Sequence, residues 1–250
     1  MDAIAKPDHA FGVDPTRRER YSLRQARYEA LADDVSRWAG EAAAAGRILR
    51  VLDIGCGTGV SLRYLEAKPH FEAIRLSGAD VEFRPRYRED LFEAYYVGDL
   101  MAGYPEIASG SFDVVLCEQV LEHLPQLDVA IATLERLLKP GGRLIVGVPI
   151  FPAPFAYLRR HLVPHLDKAF QPGRVRGHVQ AFSARSFLAA VAAHSHLQLI
   201  ELRGFRIISG GLLKPLENHR WWWQFNRRLG RAAPSLCIEI QAVMVKPVST

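Results

Sequence analysis

Residues 51–59 read Val51-Leu52-Asp53-Ile54-Gly55-Cys56-Gly57-Thr58-Gly59. An apolar run ends in glycines at alternate positions, and a helical stretch from Val60 to Ala67 follows at once. Alternate glycines let a backbone turn sharply and approach a ligand without Cβ clashes. A helix opening on such a loop points its free N–H groups and positive dipole end at that ligand. A G-x-G spacing alone says little, but here an acid also closes the following strand. That acid is Asp80, 21 residues beyond Gly59, where a carboxylate can accept from both hydroxyls of a ribose.

Outward from this loop the chain alternates strand and helix. Short apolar runs at Ile48–Ile54, Ile74–Ala79, Ala94–Val97, Phe112–Cys117 and Arg143–Val148 read as five strands. Leu197–Leu202 and Cys237–Val245 read as a sixth and a seventh. Before them, Tyr28, Leu31, Val35 and Trp38 draw one apolar stripe on a helix spanning Tyr21 to about Ala45, ended by Gly46. A helix from Val129 to Leu138 closes on Pro140-Gly141-Gly142, and Ser183 caps another that runs to Ala193. The pattern predicts one α/β domain: a doubly wound, seven-stranded, mostly parallel Rossmann-like sheet with helices on both faces. Within it, 1–46 form an arm and helix, 47–150 a cofactor-binding core, and 151–250 a substrate-side cap with the last strands. The cap is expected from residues 150–182 and 204–236.

These motifs together resemble the class I S-adenosylmethionine-dependent methyltransferases. The loop is G-x-G-x-G rather than the dehydrogenase G-x-G-x-x-G, with Val60 where the last dehydrogenase glycine would stand. The resemblance is strongest over residues 47–150 and looser beyond. It implies that Asp53 orients the loop and that Gly55, Cys56, Gly57, Thr58 and Gly59 face the methionine part of S-adenosylmethionine. It makes Asp80, followed by Val81, the ribose acid, and Gly98-Asp99-Leu100 the adenine contact, with Asp99 accepting from the exocyclic amine. Cys117 and Glu118, continuing through Gln119-Val120-Leu121-Glu122-His123-Leu124, match the segment flanking the transferred methyl. Leu138-Lys139-Pro140-Gly141-Gly142 matches the turn before strand five. Asp113 reads only as a residue that starts strand four.

A sulfonium methyl needs alignment and exclusion of water more than it needs an activating residue, so the cofactor site is better marked than the catalytic one. Two histidines are candidate bases or substrate contacts. His123 follows strand four, and His178 lies in Gly177-His178-Val179-Gln180-Ala181-Phe182-Ser183, which resembles a cleft-covering stretch in small-molecule members. His161 and His165 share an i,i+4 spacing, but no third ligand accompanies them, and no metal is expected.

Composition narrows the acceptor. Among 250 residues the net charge is +5, yet residues 151–250 hold 14 Lys or Arg against four acids, leaving −5 for the first 150. That basic half, with Trp221-Trp222-Trp223, Arg220, Arg227, Arg228 and Arg231, suits an anionic acceptor or a peripheral membrane surface. The competing expectation is that the tryptophans pack the insertion onto the sheet. Nucleic acid is disfavoured: Cys117-Glu118-Gln119-Val120 replaces the Asn/Asp-Pro-Pro-aromatic turn of amino-methylating enzymes, and there is no Pro-Cys pair. Scattered cysteines and a polar start without a signal-like apolar region fit a cytoplasmic setting. The sequence therefore predicts methyl transfer to a small molecule, with a lipid-linked, phosphate-bearing or glycan-like hydroxyl preferred and S-adenosylhomocysteine as product. A non-catalytic S-adenosylmethionine-binding regulatory module, an RNA methyltransferase and a nicotinamide-dependent oxidoreductase remain the alternatives.

Overall fold

The computed structural model describes residues 26–83, 88–151, 179–207, 213, 216 and 219–248. Strands β1 (Leu49–Ile54), β2 (Ile74–Asp80), β3 (Phe92–Val97), β4 (Phe112–Glu118), β5 (Leu138–Pro149), β6 (Gln198–Phe205) and β7 (Glu239–Val245) form one sheet. Their order is β3-β2-β1-β4-β5-β7-β6. The first five run parallel, while β7 lies antiparallel between β5 and β6. The helices are α1 (Ala26–Ala44), α2 (Val60–Glu66), α3 (Asp128–Leu137), α4 (Ala184–His194) and α5 (Arg220–Ala232).

Two apolar layers hold the sheet. On one face Leu31, Val35 and Trp38 of α1 and Leu62 and Leu65 of α2 cover Val51, Leu76, Val114 and Ile145. On the other, Ile131 and Leu134 of α3 and Phe187 and Val191 of α4 cover Leu52, Val115, Val146 and Ile240. Successive strand residues therefore feed opposite layers, the reason these runs read as continuously apolar rather than alternating. Strand order reverses between β1 and β4, which opens a crevice beyond their carboxyl ends, the standard place for a ligand in such sheets.

Element boundaries differ from the sequence expectation where pairing extends them. β5 begins at Leu138 rather than Arg143, because Leu138 pairs with Phe112 and Gly141 donates to the Lys246 carbonyl. The Pro-Gly-Gly stretch is thus held against Lys246, just past the end of β7, through the Gly141 N–H and the Gly142 carbonyl. β6 continues to Phe205, which pairs with Glu239. β7 starts two residues later than Cys237, whose N–H is already bonded to the Pro234 carbonyl. Ser183 caps α4 as expected, in a reciprocal capping box with Ser186.

The tryptophan run divides. Trp222 and Trp223 are buried against Ala26, Ala30 and Phe205, whereas Trp221 is 58% exposed. Gly230 seats α5 against the backbone of Gly204, where a side chain would collide with the Gly204 carbonyl. One arginine of this stretch is drawn inward as well, Arg227, which lies over the Trp223 ring and 3.5 Å from Asp33, while Arg231 stays exposed with Glu201 3.5 Å away. Packing of α5 onto β6 and α1 is what the described residues have, and only part of the predicted basic aromatic surface remains outward.

Candidate functional site

The glycine loop follows β1 at the reversal point. Gly55, Gly57 and Gly59 have φ of 72°, 52° and 83°, all in the left-handed region where a side chain is strained. Gly55 has a second reason to be glycine, since a Cβ there would overlap Val120 Cγ2. The loop is anchored from β2: the N–H groups of Gly55 and Cys56 donate to the Ala79 carbonyl at 2.8 and 3.3 Å.

Two acids frame the loop differently. Asp53 is 4% exposed and accepts from the Ser61 hydroxyl, tying the end of β1 to the first turn of α2. Burial pushes its carboxyl up to about 7, the Ser61 hydroxyl opposes that rise, and Glu118 and Asp80 add to it. Asp80 stands at the end of β2, accepting the Gly57 N–H at 2.8 Å through one oxygen and the Val81 N–H at 2.7 Å through the other. Each oxygen keeps a second lone pair for a hydroxyl donor. Val81 beside it is 63% exposed, an apolar surface at the mouth of the crevice.

From β3, the Gly98 N–H donates to the Asp80 carbonyl at 2.9 Å. Gly98 has little room for a side chain, because Tyr104 packs 3.0 Å from a Cβ there and donates its hydroxyl to the Gly98 carbonyl. Asp99 Oδ1 caps the turn at Leu100–Ala102 through the Met101 N–H, and Oδ2 has no protein donor among the described residues. Leu100 is buried beneath this corner. Asp53, the glycine loop, Asp80, Val81, Gly98 and Asp99 thus sit at the carboxyl ends of three adjacent strands. The geometry fits a nucleoside cofactor: glycine amides at a helix start, a carboxylate with a lone pair left on each oxygen, then a carboxylate oxygen without a protein donor among the described residues.

After β4 the picture changes. The Cys117 side chain lies wholly inside the apolar layer under α3, where burial pushes its thiol well above the ordinary range. Glu118 turns to the α1 side and lies so close over Gly147 that no Cβ fits there. It accepts from Gln241 Nε2 at 2.5 Å and lies 3.3 Å from Arg27 Nε. Arg27 also binds Glu239 at 3.0 Å, and Arg203, 3% exposed, reaches Gln241 and Asp34 at 2.7 Å each. Burial pushes the Glu118 carboxyl up to about 7, with Arg27 and Gln241 holding it back. This network, invisible to sequence spacing, fastens α1 across β4, β7 and β6. Asp113, expected only to start β4, accepts from the Arg50 N–H and from Lys139 Nζ, each at 2.9 Å.

The turn from Gln119 to Leu124 lies against the loop through Val120. His123 is 44% exposed with Nε2 3.8 Å from Glu122 Oε1. The backbone carbonyl of Glu122 accepts from the Val179 and Gln180 N–H groups at 2.8 and 2.9 Å, joining the turn to the segment that leads into α4. His178, His161 and His165 lie outside the described residues, as do the N-terminal arm to residue 25 and most of the expected 150–182 cap. Among the described residues no helix is long and apolar enough to cross a membrane.

A glycine-loop crevice at the reversal of a 3-2-1-4-5-7-6 sheet defines a nucleoside-cofactor enzyme of the methyltransferase class. The methyltransferase-domain family profile matches residues 22–202, so the chain belongs to the class I S-adenosylmethionine-dependent methyltransferases. It is similar to a ubiquinone biosynthesis O-methyltransferase of Xanthomonas oryzae pv. oryzae, 31% identical over 188 residues and 68% of each chain. A namesake from Xylella fastidiosa is 35% identical over 109 residues, covering 39% of this chain and 41% of that one. In fold it resembles the N-methyltransferase NodS of Bradyrhizobium japonicum, with TM-score 0.53 and 17% identity over 90% of this chain and 97% of that one. A Burkholderia thailandensis 1,6-didemethyltoxoflavin-N1-methyltransferase, solved with S-adenosylhomocysteine, aligns with TM-score 0.51 and 14% identity over 88% and 78%.

Proposed function

We propose that this enzyme methylates a hydroxyl on an amphipathic small molecule, a lipid-linked ring being the preferred acceptor. The observation that carries the cofactor half is the Gly57 N–H bonded to Asp80 beneath three left-handed glycines. In this reading Gly55 to Gly59 cradle the methionine part, Asp80 takes the ribose hydroxyls, Val81 lies along the adenine, and Asp99 Oδ2 accepts from its amine. S-adenosylmethionine supplies a sulfonium methyl that needs no further activation. The residues of the chain orient the acceptor in line, keep water out and take the hydroxyl proton. His123 stands at the mouth of the turn that would deliver that proton.

The acceptor half is supported by the O-methyltransferase relatives and by what α5 leaves outward. Trp221 and Phe225, 58% and 44% exposed one helical turn apart, both touch Trp222, and Arg228 is exposed on the same helix. Aromatic rings beside arginine suit a surface where a lipid-linked acceptor partitions.

Calorimetric titration with S-adenosylhomocysteine tests the cofactor reading. Native protein binds, and Asp80→Ala weakens binding at least about tenfold, equivalent to 1.4 kcal/mol. Equal affinity in the two proteins would remove Asp80 from the ribose site. A radiolabelled methyl-transfer panel of prenylated catechols, sugar phosphates and glycans then separates the acceptor classes. Turnover confined to the last two would refute the lipid-linked reading.

A further inference from the structure

Large apolar side chains left in solvent gather at one edge of the sheet. β5 and β6 are both antiparallel to β7, so β6 ends at the same edge as β1 to β5, the edge that carries the glycine loop. Phe83 and Val97 are exposed there, one just after β2 and the other at the end of β3. Across the crevice, Leu236 and Ile238 are exposed just before β7 begins. The Ile238 carbonyl accepts from the Ile150 N–H at 2.9 Å, directly beyond β5, which holds that pair to the same edge. Val179, exposed as well, is bonded to the Glu122 carbonyl in the turn after β4. Apolar groups on both sides of one crevice mark a contact face, unlike the scattered exposure of an ordinary surface.

Helix α5 extends this rim. Trp222 and Trp223, near its start, rest on Phe205, the last residue of β6, and on Ala26, the first of α1. Trp221, Phe225 and Arg228 follow one another at helical spacing and are all exposed, so they share the outward stripe. Trp222 backs both outer rings, edge-on to Trp221 at 5.5 Å and stacked on Phe225 at 5.7 Å. Rings held in this way lose little side-chain freedom on meeting a partner.

Charge says what that partner is. From residue 218 to 238 the chain holds four arginines and no Asp or Glu. The exposed apolar pair at the opposite edge of the sheet, Leu199 and Ile200, adjoins Glu201 instead. Aromatic rings at headgroup depth and arginines against lipid phosphates are the two attractions that hold a protein to an anionic bilayer. The inner face of α5 is already occupied by β6 and α1, so the helix lies at the headgroups and does not sink into the acyl chains.

We propose that this edge docks on an anionic bilayer through the Trp221, Phe225 and Arg228 stripe together with Leu236 and Ile238, so that the cofactor crevice opens toward the lipid. The proposal rests on the lipid-linked reading of the acceptor above, and it adds the route. The acceptor ring enters the crevice from the membrane plane, and its lipid tail never has to cross water.

The test sediments native protein and variants, without acceptor, with vesicles of phosphatidylcholine alone or mixed with phosphatidylglycerol. Native protein should bind the mixed vesicles at least about tenfold more tightly than the neutral ones, and high salt should erase the difference. Trp221→Ala combined with Phe225→Ala should weaken binding at least about tenfold, and Arg228→Gln about three- to fivefold. Leu236→Ser, outside α5 but on the same edge, should weaken it at least about threefold. Ile200→Ser, on the opposite edge, should leave it within about twofold. All these side chains are exposed, so melting temperature and S-adenosylhomocysteine affinity should stay native-like. Equal binding to both vesicles, or an Ile200→Ser loss as large as that of the aromatic pair, would overturn the docking. So would a native dimer that the aromatic pair dissociates, by giving the face to a second copy. Native protein that methylates a prenylated catechol yet binds neither vesicle would overturn the docking alone. Native protein that methylates only sugar phosphates or glycans would refute the lipid-linked reading, and this proposal with it.

Discussion

Gly55→Ala is the substitution whose cost can be divided most cleanly. At φ 72° an alanine sits in the left-handed region, which costs about 1–2 kcal/mol. Its methyl would also overlap Val120 Cγ2, and overpacking of this kind costs about 1–3 kcal/mol. The sum is about 2–5 kcal/mol, a large part of a domain's total stability. Val120 is partly buried, so Val120→Ala alone should cost on the order of 1 kcal/mol. In the double variant the overlap disappears and the backbone penalty stays. Urea denaturation of the four proteins should therefore give a favourable coupling of about 1–3 kcal/mol. S-adenosylhomocysteine affinity should fall in Gly55→Ala and recover only in part with Val120→Ala. Strict additivity, or a Gly55→Ala cost below about 1 kcal/mol, would refute the claim that the cofactor loop and the turn after β4 are packed as one unit.

Two further outcomes follow from burial. Asp53 has its folded carboxyl raised to about 7 against an ordinary value of 3.8, so its neutral form stabilises the fold at low pH and that contribution is lost as pH rises toward 7. Asp53→Asn should therefore gain stability relative to native protein between pH 5 and 8 in parallel urea titrations, and a change in the opposite direction would mean the carboxylate is well solvated. Trp222→Ala should cost about 3–5 kcal/mol. Trp221→Ala should shift stability by no more than about 0.5 kcal/mol while weakening co-sedimentation with anionic phospholipid vesicles. Unchanged sedimentation would leave Trp221 without a surface role.

The sheet and its loop were legible because their constraints are local. Three glycines, an apolar strand before them and an acid one strand later encode a turn that few other residues permit, and each lies where the sequence put it. The Trp221–Trp223 run was less legible, since which ring is buried depends on Phe205 and on α1, nearly 200 residues away in the chain. Glu118 shows the same limit. Its place in a motif suggested the crevice, yet its side chain joins Arg27, Gln241 and, through them, Arg203, pairings no spacing rule could reveal.

The position of β7 carries a consequence for how the chain is made. β6 leaves the ribosome before β7, yet the two neighbours it will join, β5 and β6, do not touch each other in the sheet. Until Glu239–Val245 emerges, β5 carries a bare hydrogen-bonding edge, and β6 has no place to dock. The nascent chain therefore spends the interval between their synthesis with a sticky apolar margin open to solvent, the circumstance in which chaperones intervene and aggregation begins.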